Sequence, residues 1–292
     1  MVYDITSSNS AYEWVLQVLG ITGEEFIEKY IVDFQKDAEE FMEHYFEKIE
    51  AININELEIV ALHVTSNSDE CKAIRKSGIC DLKKVLSESS ELKSFLEEKD
   101  VLFDIENKKM MLDGQEYSID YDAYCRAEDK LNYRDEKLKD IGRKIYFDYQ
   151  INGFLFTRDV KDYGTDIHEM PEILLTISQF NSSAAEKVKM WKNTREGYVI
   201  RYKAKFMQFA HYTFYDKVES YLNDSYCGWI KFKKWLVSHA IDSSFSDLHS
   251  DIYAYMKSGI IIEPGQILEC IPVDVVLCQE KVQIKCNQFS LF

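Results

Sequence analysis

The sequence has few of the residues that build loop-rich active sites, since its 292 residues include three prolines and eleven glycines. It also lacks the patterns GxGxxG, GxxxxGK[ST], GxSxG and HExxH. These absences exclude the usual Rossmann and P-loop phosphate sites, a serine-hydrolase elbow and a zincin metal site. Long apolar runs are missing too: none approaches the roughly 18 residues that a membrane-spanning helix needs. With no signal-like start, we expect a cytoplasmic protein without a membrane partner.

The cysteines do not form a metal-ligand pattern. There are seven of them, no pair is spaced as CxxC, and no histidine stands beside a pair at zinc-ligand spacing. Cys270, Cys278 and Cys286 recur every eight residues, which on strands simply places small apolar side chains on one face. We therefore expect reduced thiols and no metal.

Charge is unevenly distributed along the chain, whose formal net charge is −16. Residues 1–150 contain 34 acids and 19 bases, which argues against nucleic acid or an anionic membrane as a partner for that half. Residues 187–234 instead contain 11 bases, 4 acids and many aromatic residues. This segment either binds phosphate-bearing ligands or single-stranded nucleic acid, or it docks on the acidic N-terminal helix with its aromatics in the core. We favour the second interpretation.

Hydrophobic periodicity predicts helices in the first 56 residues. Ser7 to Asn9 can cap a helix that ends at Gly20. Thr22 begins a longer helix that reaches Ile49, with one apolar face. The elements predicted after it are a buried strand at 57–65, short helices at 69–77, 81–86 and 90–96, small strands at 101–105, 109–112 and 116–119, and a helix or helix pair within 122–149.

Hydrophobic periodicity also predicts helices and strands in the second half of the sequence. The predicted elements are strands at 154–157 and 197–206, a helix that starts at Pro171, a helical, aromatic-rich stretch at 207–257, and final strands at 266–271 and 274–285. In the strand at 197–206, Arg201, Lys203 and Lys205 share one face and apolar residues share the other. Strands this widely spaced among helices indicate an α+β fold.

One block of the chain resembles the first motif of the ADP-ribosyltransferases. The strand ends in His63-Val64-Thr65, and the helix after it leads into Ile74 and Gly78-Ile79. In that family a central strand carries His-x-Thr, and a helix with an Ile and Gly signature follows it. On a strand, residues two apart lie on the same side, so His63 and Thr65 could form the polar floor of a site.

Two later segments extend the resemblance. Residues 153–157 are similar to the family's second strand motif, with Phe156 where tyrosine is frequent. Residues 266–276 resemble the family's closing segment, in which Glu269 would be the acidic catalytic residue. Glu263 is a competing choice, because the register of this segment is open.

The resemblance implies an α+β domain at 57–292 with a split mixed sheet, a helical N-terminal extension at 1–56 and a helical insertion at about 207–257. It also implies that NAD is a substrate and that ADP-ribose is transferred to a macromolecule, in a toxin or phage-defence setting. The alternative is a catalytically inactive member that binds protein or nucleic acid. No metal is expected in either case.

The resemblance also implies roles for named residues. Glu269 would stabilise the positive charge that develops at the ribose, and His63 and Thr65 would bind its hydroxyls. The remaining ligand-binding candidates are Phe156 or Tyr163, stacked on nicotinamide, and Arg158 or Arg201, paired with the pyrophosphate. Each has a purely structural alternative: His63 as a core histidine, Glu269 as an outward polar residue, and Arg201 as part of an exposed basic edge.

Overall fold

Helices and strands are mixed along the chain, which confirms the α+β class. The structure is a computed structural model that describes residues 1–214 and 226–275. The strands are β1 (Val2–Tyr3), β2 (Glu58–Asn67), β3 (Val101–Asp104), β4 (Lys109–Leu112), β5 (Gln115–Ser118), β6 (Asn152–Phe156), β7 (Glu196–Lys205), β8 (Ile252–Tyr255) and β9 (Ile267–Pro272).

The helices begin at residues that cap them well. Ser7, Thr22, Asp37, Asp81, Ser90 and Asn181 each accept a hydrogen bond from a backbone N–H in the first turn of the helix that follows. The helices are α1 (Ser8–Leu19), α2 (Gly23–Phe26), α3 (Ala38–His44), α4 (Phe46–Glu50), α5 (Lys72–Ser77), α6 (Leu82–Ser87), α7 (Glu91–Glu98), α8 (Tyr121–Arg126), α9 (Tyr133–Tyr146), α10 (Glu172–Ser178), α11 (Ser182–Lys192) and α12 (Tyr226–Ser244).

The chain divides into two compact units, each made of three pieces. Unit 1 contains Met1–Leu62, Asn152–Arg158 and Arg201–Lys257. Unit 2 contains His63–Ile151, Asp159–Ile200 and the described residues from Ser258 onward. The predicted N-terminal extension, residues 1–56, thus belongs to a unit that also contains two later segments.

Unit 1 combines the N-terminal helices with strands in the order β8-β6-β2-β7, and β1 adds to β2 in parallel. Helix α12 packs on α1, α3 and α4. Lys234 pairs with Glu43, and the Lys233 ammonium donates to the Glu50 carbonyl. The end of the basic segment therefore docks on the acidic helices, as we expected. Its start does not, because Lys187, Lys192 and Arg195 pair within unit 2 with Asp113, Glu169 and Glu91.

Most described aromatics of the basic segment are core residues. The rings of Phe206, Phe214 and Phe232 lie 4.7–5.3 Å apart in unit 1. The buried members are Trp191, Tyr198, Tyr202, Phe206, Phe209, Phe214 and Phe232. Tyr212 is exposed, and Tyr215 and Tyr221 lie outside the described residues.

Unit 2 contains the strand order β2-β7-β9 and the antiparallel meander β3-β4-β5. Its core is formed by one face each of α7, α9, α10 and α11 together with the meander, and includes Leu96, Met110, Ile141, Leu174 and Trp191. Helix α11 has no counterpart among the predicted elements.

The predicted single helix from Thr22 to Ile49 is wrong. A π-helix occupies Ile27–Asp33, and Gln35 and Lys36 then adopt positive φ angles of 50° and 67°. Left-handed residues cannot continue a right-handed helix. The Asp37 carboxylate starts a new helix by accepting hydrogen bonds from the N–H groups of Glu39 and Glu40.

The predicted helical stretch at 207–257 is wrong at its end. Ile252–Tyr255 forms strand β8, which pairs antiparallel with β6 and places Tyr253 opposite Phe154, with the ring centroids 5.6 Å apart. β-branched and aromatic residues favour this cross-strand packing over a helix.

The final predicted strand, 274–285, is wrong at its start. Residues 273–275 are helical, and the rest of that strand lies outside the described residues. Pro272 ends β9 because it has no N–H to continue the ladder.

None of the helices within residues 1–214 and 226–275 combines the length and apolarity needed to cross a membrane.

Candidate active site

The end of strand β2 carries the two residues of the first predicted motif. Val64 is buried, whereas His63 and Thr65 are half-buried. Because successive strand residues point to opposite faces, His63 and Thr65 lie on the same face. Part of each side chain is therefore accessible to a ligand.

Ser66 fixes the end of this strand within unit 2. Its hydroxyl accepts a hydrogen bond from Trp191 Nε1 at 2.8 Å and donates to the carbonyl of Glu169 at 3.1 Å. Trp191 is 2% exposed and packs edge-to-face on Phe95, with centroids 5.0 Å apart. One buried hydroxyl thus ties β2 to α11 and to the loop before α10, because leaving either partner unpaired would be costly.

A polar cavity of about 150 Å³ lies in unit 2, where β2 ends and β7 begins. It is lined by Asn67, Ser68, Glu70, Thr194, Glu196 and Tyr198. Pockets for drug-sized ligands are larger, roughly 300–1,000 Å³. The cavity therefore has room for one ring or one side-chain head group, but not for a whole dinucleotide.

Glu91 connects the two segments that line this cavity. Its carboxylate accepts hydrogen bonds from the Ser68 hydroxyl at 2.7 Å and from Arg195 Nε at 3.0 Å. Arg195 stands between Thr194 and Glu196 in the sequence, so this ion pair fixes the start of β7. The Arg195 guanidinium also stacks on Trp191, 4.4 Å from the ring centroid.

The cavity presents mainly hydrogen-bond acceptors to a ligand. Burial, a hydrogen bond to Glu196 and nearby negative charges raise the pKa of Tyr198 to about 12. The phenol is therefore protonated at neutral pH and donates to Glu196 at 3.2 Å. The carboxylates of Glu70 and Glu196 favour a ligand group that is cationic or that donates hydrogen bonds.

Residues 258–272 are held against helix α5 in the same unit. Ile79 and Ile262 exchange both backbone hydrogen bonds at 2.9 Å, and Arg75 donates to the carbonyl of Cys270 at 3.5 Å. Gly78, with φ +81°, permits this approach, because a Cβ at that position would lie 2.0 Å from the Ile262 carbonyl oxygen. The segment that contains both candidate glutamates is thereby fixed in unit 2.

The two candidate glutamates differ in their local structure. Glu269 is exposed on strand β9. Glu263, also exposed, precedes the 3-10 turn Pro264–Gln266, and its N–H donates to Gln266 Oε1 at 2.9 Å. Both belong to unit 2 with His63 and Thr65, and Tyr163 is half-buried in the loop before α10 of that unit.

The other predicted ligand-binding residues belong to unit 1. Phe156 is half-buried at the end of β6. Arg158 Nε donates to the Leu248 carbonyl at 3.0 Å, and its Nη2 lies 2.6 Å from His249 Nδ1. Arg201 is paired with Asp4, whose side chain is 9% exposed. Both guanidinium groups therefore have partners within unit 1, with which a pyrophosphate would have to compete.

The cavity residues and the supporting pairs Ser66–Trp191 and Glu91–Arg195 are not among the residues predicted from the sequence. The available signals were the polar run Asn67-Ser68 after an apolar strand and the polar run Thr194-Arg195-Glu196 before the next one. Neither signal shows that the two runs meet, because that depends on the pairing of strands far apart in the sequence.

Among the residues that the structure describes, no group of three or more His, Cys, Asp or Glu side chains could hold a metal ion. Comparisons of the chain with protein-family models, with curated proteins and with solved structures find no match.

Proposed function

We propose that the chain transfers ADP-ribose from NAD to a macromolecular acceptor. The observation that carries this proposal is the placement of His63 and Thr65, half-buried on one face of β2, in the same unit as Glu269 on β9. The ordered resemblance of these strands to ADP-ribosyltransferase motifs supplies the reaction class.

The proposed mechanism follows from what cleavage of the N-glycosidic bond requires. Nicotinamide leaves from a ribose carbon that becomes positively charged only in the transition state. A carboxylate fixed beside that carbon, here Glu269, stabilises the charge, and it can also take a proton from the incoming nucleophile. His63 and Thr65 would hold the ribose hydroxyls, and no step needs a metal.

The cavity beside β2 supports the proposal through its size and charge. The nicotinamide group of NAD is a single cationic ring with a hydrogen-bond-donating carboxamide. An acceptor-lined cavity of about 150 Å³ suits such a group. Tyr163, which belongs to the same unit as the cavity, would provide an aromatic face for the ring, as the sequence suggests.

Replacement of Glu269 by Gln tests the proposal. The change keeps the shape and removes the charge, so nicotinamide release from labelled NAD should fall by about 10²–10³-fold, as for other lost electrostatic stabilisers. His63→Ala should instead weaken NAD binding, because it removes a contact that orients the substrate. The assay follows both nicotinamide release and label on protein, RNA and DNA pools.

Glu263→Gln is the matched control, because it removes a second exposed carboxylate from the same segment. If Glu263→Gln abolishes nicotinamide release while Glu269→Gln does not, the proposed reaction is correct and the catalytic residue is Glu263. If both variants release nicotinamide at the wild-type rate and His63→Ala only lowers the melting temperature, the proposal fails.

The alternative is an inactive member of the fold that binds protein or nucleic acid. The pairing of Arg201 with Asp4 and the phenylalanine at position 156 favour it, because both depart from what an active NAD site needs. NAD binding without nicotinamide release, or no NAD binding at all, would support this alternative.

A further inference from the structure

The hydroxyl groups in the cavity between the end of β2 and the start of β7 all donate their hydrogens to the protein. Ser68 donates to the Glu91 carboxylate at 2.7 Å, and Thr194 donates to a backbone carbonyl of α11 at 2.9 Å. Tyr198, which is 5% exposed, donates to Glu196 Oε2 at 3.2 Å. Because a hydroxyl carries one hydrogen, these three groups can offer a ligand only lone pairs.

Glu196 adds an uncompensated negative charge to this cavity. Its sequence neighbour Arg195 is committed to Glu91, with Nε 3.0 Å from a carboxylate oxygen. Glu70, the second acid of the lining, lies 3.5 Å from Lys72 Nζ. Within the part of the chain that the structure describes, no ion pair includes Glu196. The hydrogen bond to Oε2 comes from a neutral phenol, so the charge remains and Oε1 is left for a ligand.

The carboxylate of Glu196 is positioned from both sides along the chain. Before it, Arg195 is 15% exposed, pairs with Glu91 and stacks on Trp191 at 4.4 Å from the ring centroid. After it, the buried Tyr198 holds one carboxylate oxygen. Glu196 itself is exposed, so a ligand that enters the cavity can reach it. A group positioned in advance loses little conformational entropy when it binds.

We propose that this cavity binds a planar organic cation, and that Glu196 makes it select the oxidised, positively charged nicotinamide ring over the neutral, reduced ring. The cation site depends on the cavity alone. The selection between the two rings rests on the proposed function, which makes NAD the substrate.

Charge is the property by which this cavity can separate the two rings. Both rings carry the same carboxamide and are nearly the same size, so a volume of about 150 Å³ accommodates either one. The carboxamide N–H groups of both can donate to the lone pairs of the lining. Only the oxidised ring is attracted by a negative charge in addition, and an ion pair in a partly exposed site changes affinity by up to about fivefold.

Two small probes of the same shape test the cation site directly. One is 1-methylnicotinamide, the cationic ring with a methyl group in place of the ribose, and the other is 3-methylbenzamide, its neutral isostere. In titration calorimetry of the full chain at low ionic strength, we expect the cation to bind about fivefold more tightly. Added salt should reduce this difference. Equal affinities for the two probes would overturn the proposal.

Glu196→Gln tests the residue, because it removes the charge and keeps an oxygen for the hydrogen bond from Tyr198. The affinity for the cation should fall about fivefold, and the affinity for the neutral probe should stay the same. Glu136→Gln is the matched control, since it removes one exposed carboxylate from α9, outside the cavity lining. It should change neither affinity.

Two results with these variants would contradict the role of Glu196. One is an unchanged ratio of the two affinities in Glu196→Gln, and the other is an equal loss in Glu136→Gln, which would trace the preference to net charge. The comparison of the two probes in the wild type needs no variant, so it decides the cation site even where a variant fails to fold.

Binding of the two dinucleotides to the full chain tests the selection between the rings. NADH should bind less tightly than NAD to the wild type, and the difference should shrink in Glu196→Gln. Preference for the cationic probe without nicotinamide release would retain the cation site and reject the proposed function. Nicotinamide release together with equal affinities for NAD and NADH would retain the enzyme and reject the selection by Glu196.

Discussion

Gly78 shows how one residue decides the position of a whole segment. Its φ of +81° and ψ of −167° lie in a region that is essentially restricted to glycine, and the Ile262 carbonyl occupies the space of a Cβ. Gly78→Ala must therefore move either α5 or the segment that leads to β9.

We expect Gly78→Ala to lower the free energy of unfolding by more than the roughly 1–3 kcal/mol of backbone strain alone. Gly114→Ala is the control, because Gly114 also has a positive φ, +73°, but has no atom within 4 Å of its added Cβ. Urea unfolding of both variants measures the difference. Equal losses would show that the close approach to Ile262 contributes nothing.

At the scale of elements, Asp37 begins the new helix after the break in the predicted helix from Thr22 to Ile49. In a continuous helix, Asp37→Ala would stabilise the chain, since alanine is the better helix former. Because Asp37 instead caps α3, we expect the same substitution to destabilise the protein by about 0.5–2 kcal/mol. Asp37→Asn should keep the cap and most of the stability. Thermal unfolding of both variants decides between a continuous helix and a helix α3 capped by Asp37.

Elements with strong local signals were predictable from the sequence. Strands β2 and β7, the capped helices α1, α6 and α7, and the hairpin at Asp113-Gly114 all occur close to their expected positions. The break at Gln35 and Lys36 was not predictable, because the apolar spacing on either side of it fits one helix. Strand β8 was missed for the same reason: its aromatics fit a helix until the partner Phe154 is known.

The candidate site was predictable only in part. The sequence places His63 and Thr65 on one face of a strand, and the structure agrees. It could not show that Arg201 pairs with Asp4, or that Glu91 and Arg195 connect the ends of β2 and β7. Those contacts join residues about 100 to 200 positions apart, which no local pattern encodes.

At the scale of the whole molecule, several tyrosines resist ionisation. Burial is the main cause, together with neighbouring carboxylates, and it raises the pKa values of Tyr45, Tyr146 and Tyr198 from 10 to about 12. The folded protein thus holds these protons at a pH where the unfolded chain loses them. Their contribution to stability is complete below pH 10 and is lost as the pH rises towards 12.

We therefore expect the melting temperature to fall between pH 10 and 12, with tyrosinate absorbance rising at the unfolding transition. Tyr45→Phe should weaken this alkaline loss, although it also removes the hydrogen bond from Tyr45 to Glu25. Ionisation of all tyrosines near pH 10 in a protein that stays folded would contradict the prediction.

The interleaving of the two units has a consequence for synthesis on the ribosome. The N-terminal helices of unit 1 pack on α12, which emerges only after most of unit 2 has been made. The core of unit 2 instead lies within residues 86–191 and can pack before α12 has been made. Unit 1 cannot complete its core until α12 has emerged, so the acidic helices must stay partly unpacked for most of translation. Because these contacts form late and join distant parts of the chain, folding is slow, and apolar surface stays exposed to chaperones until they form.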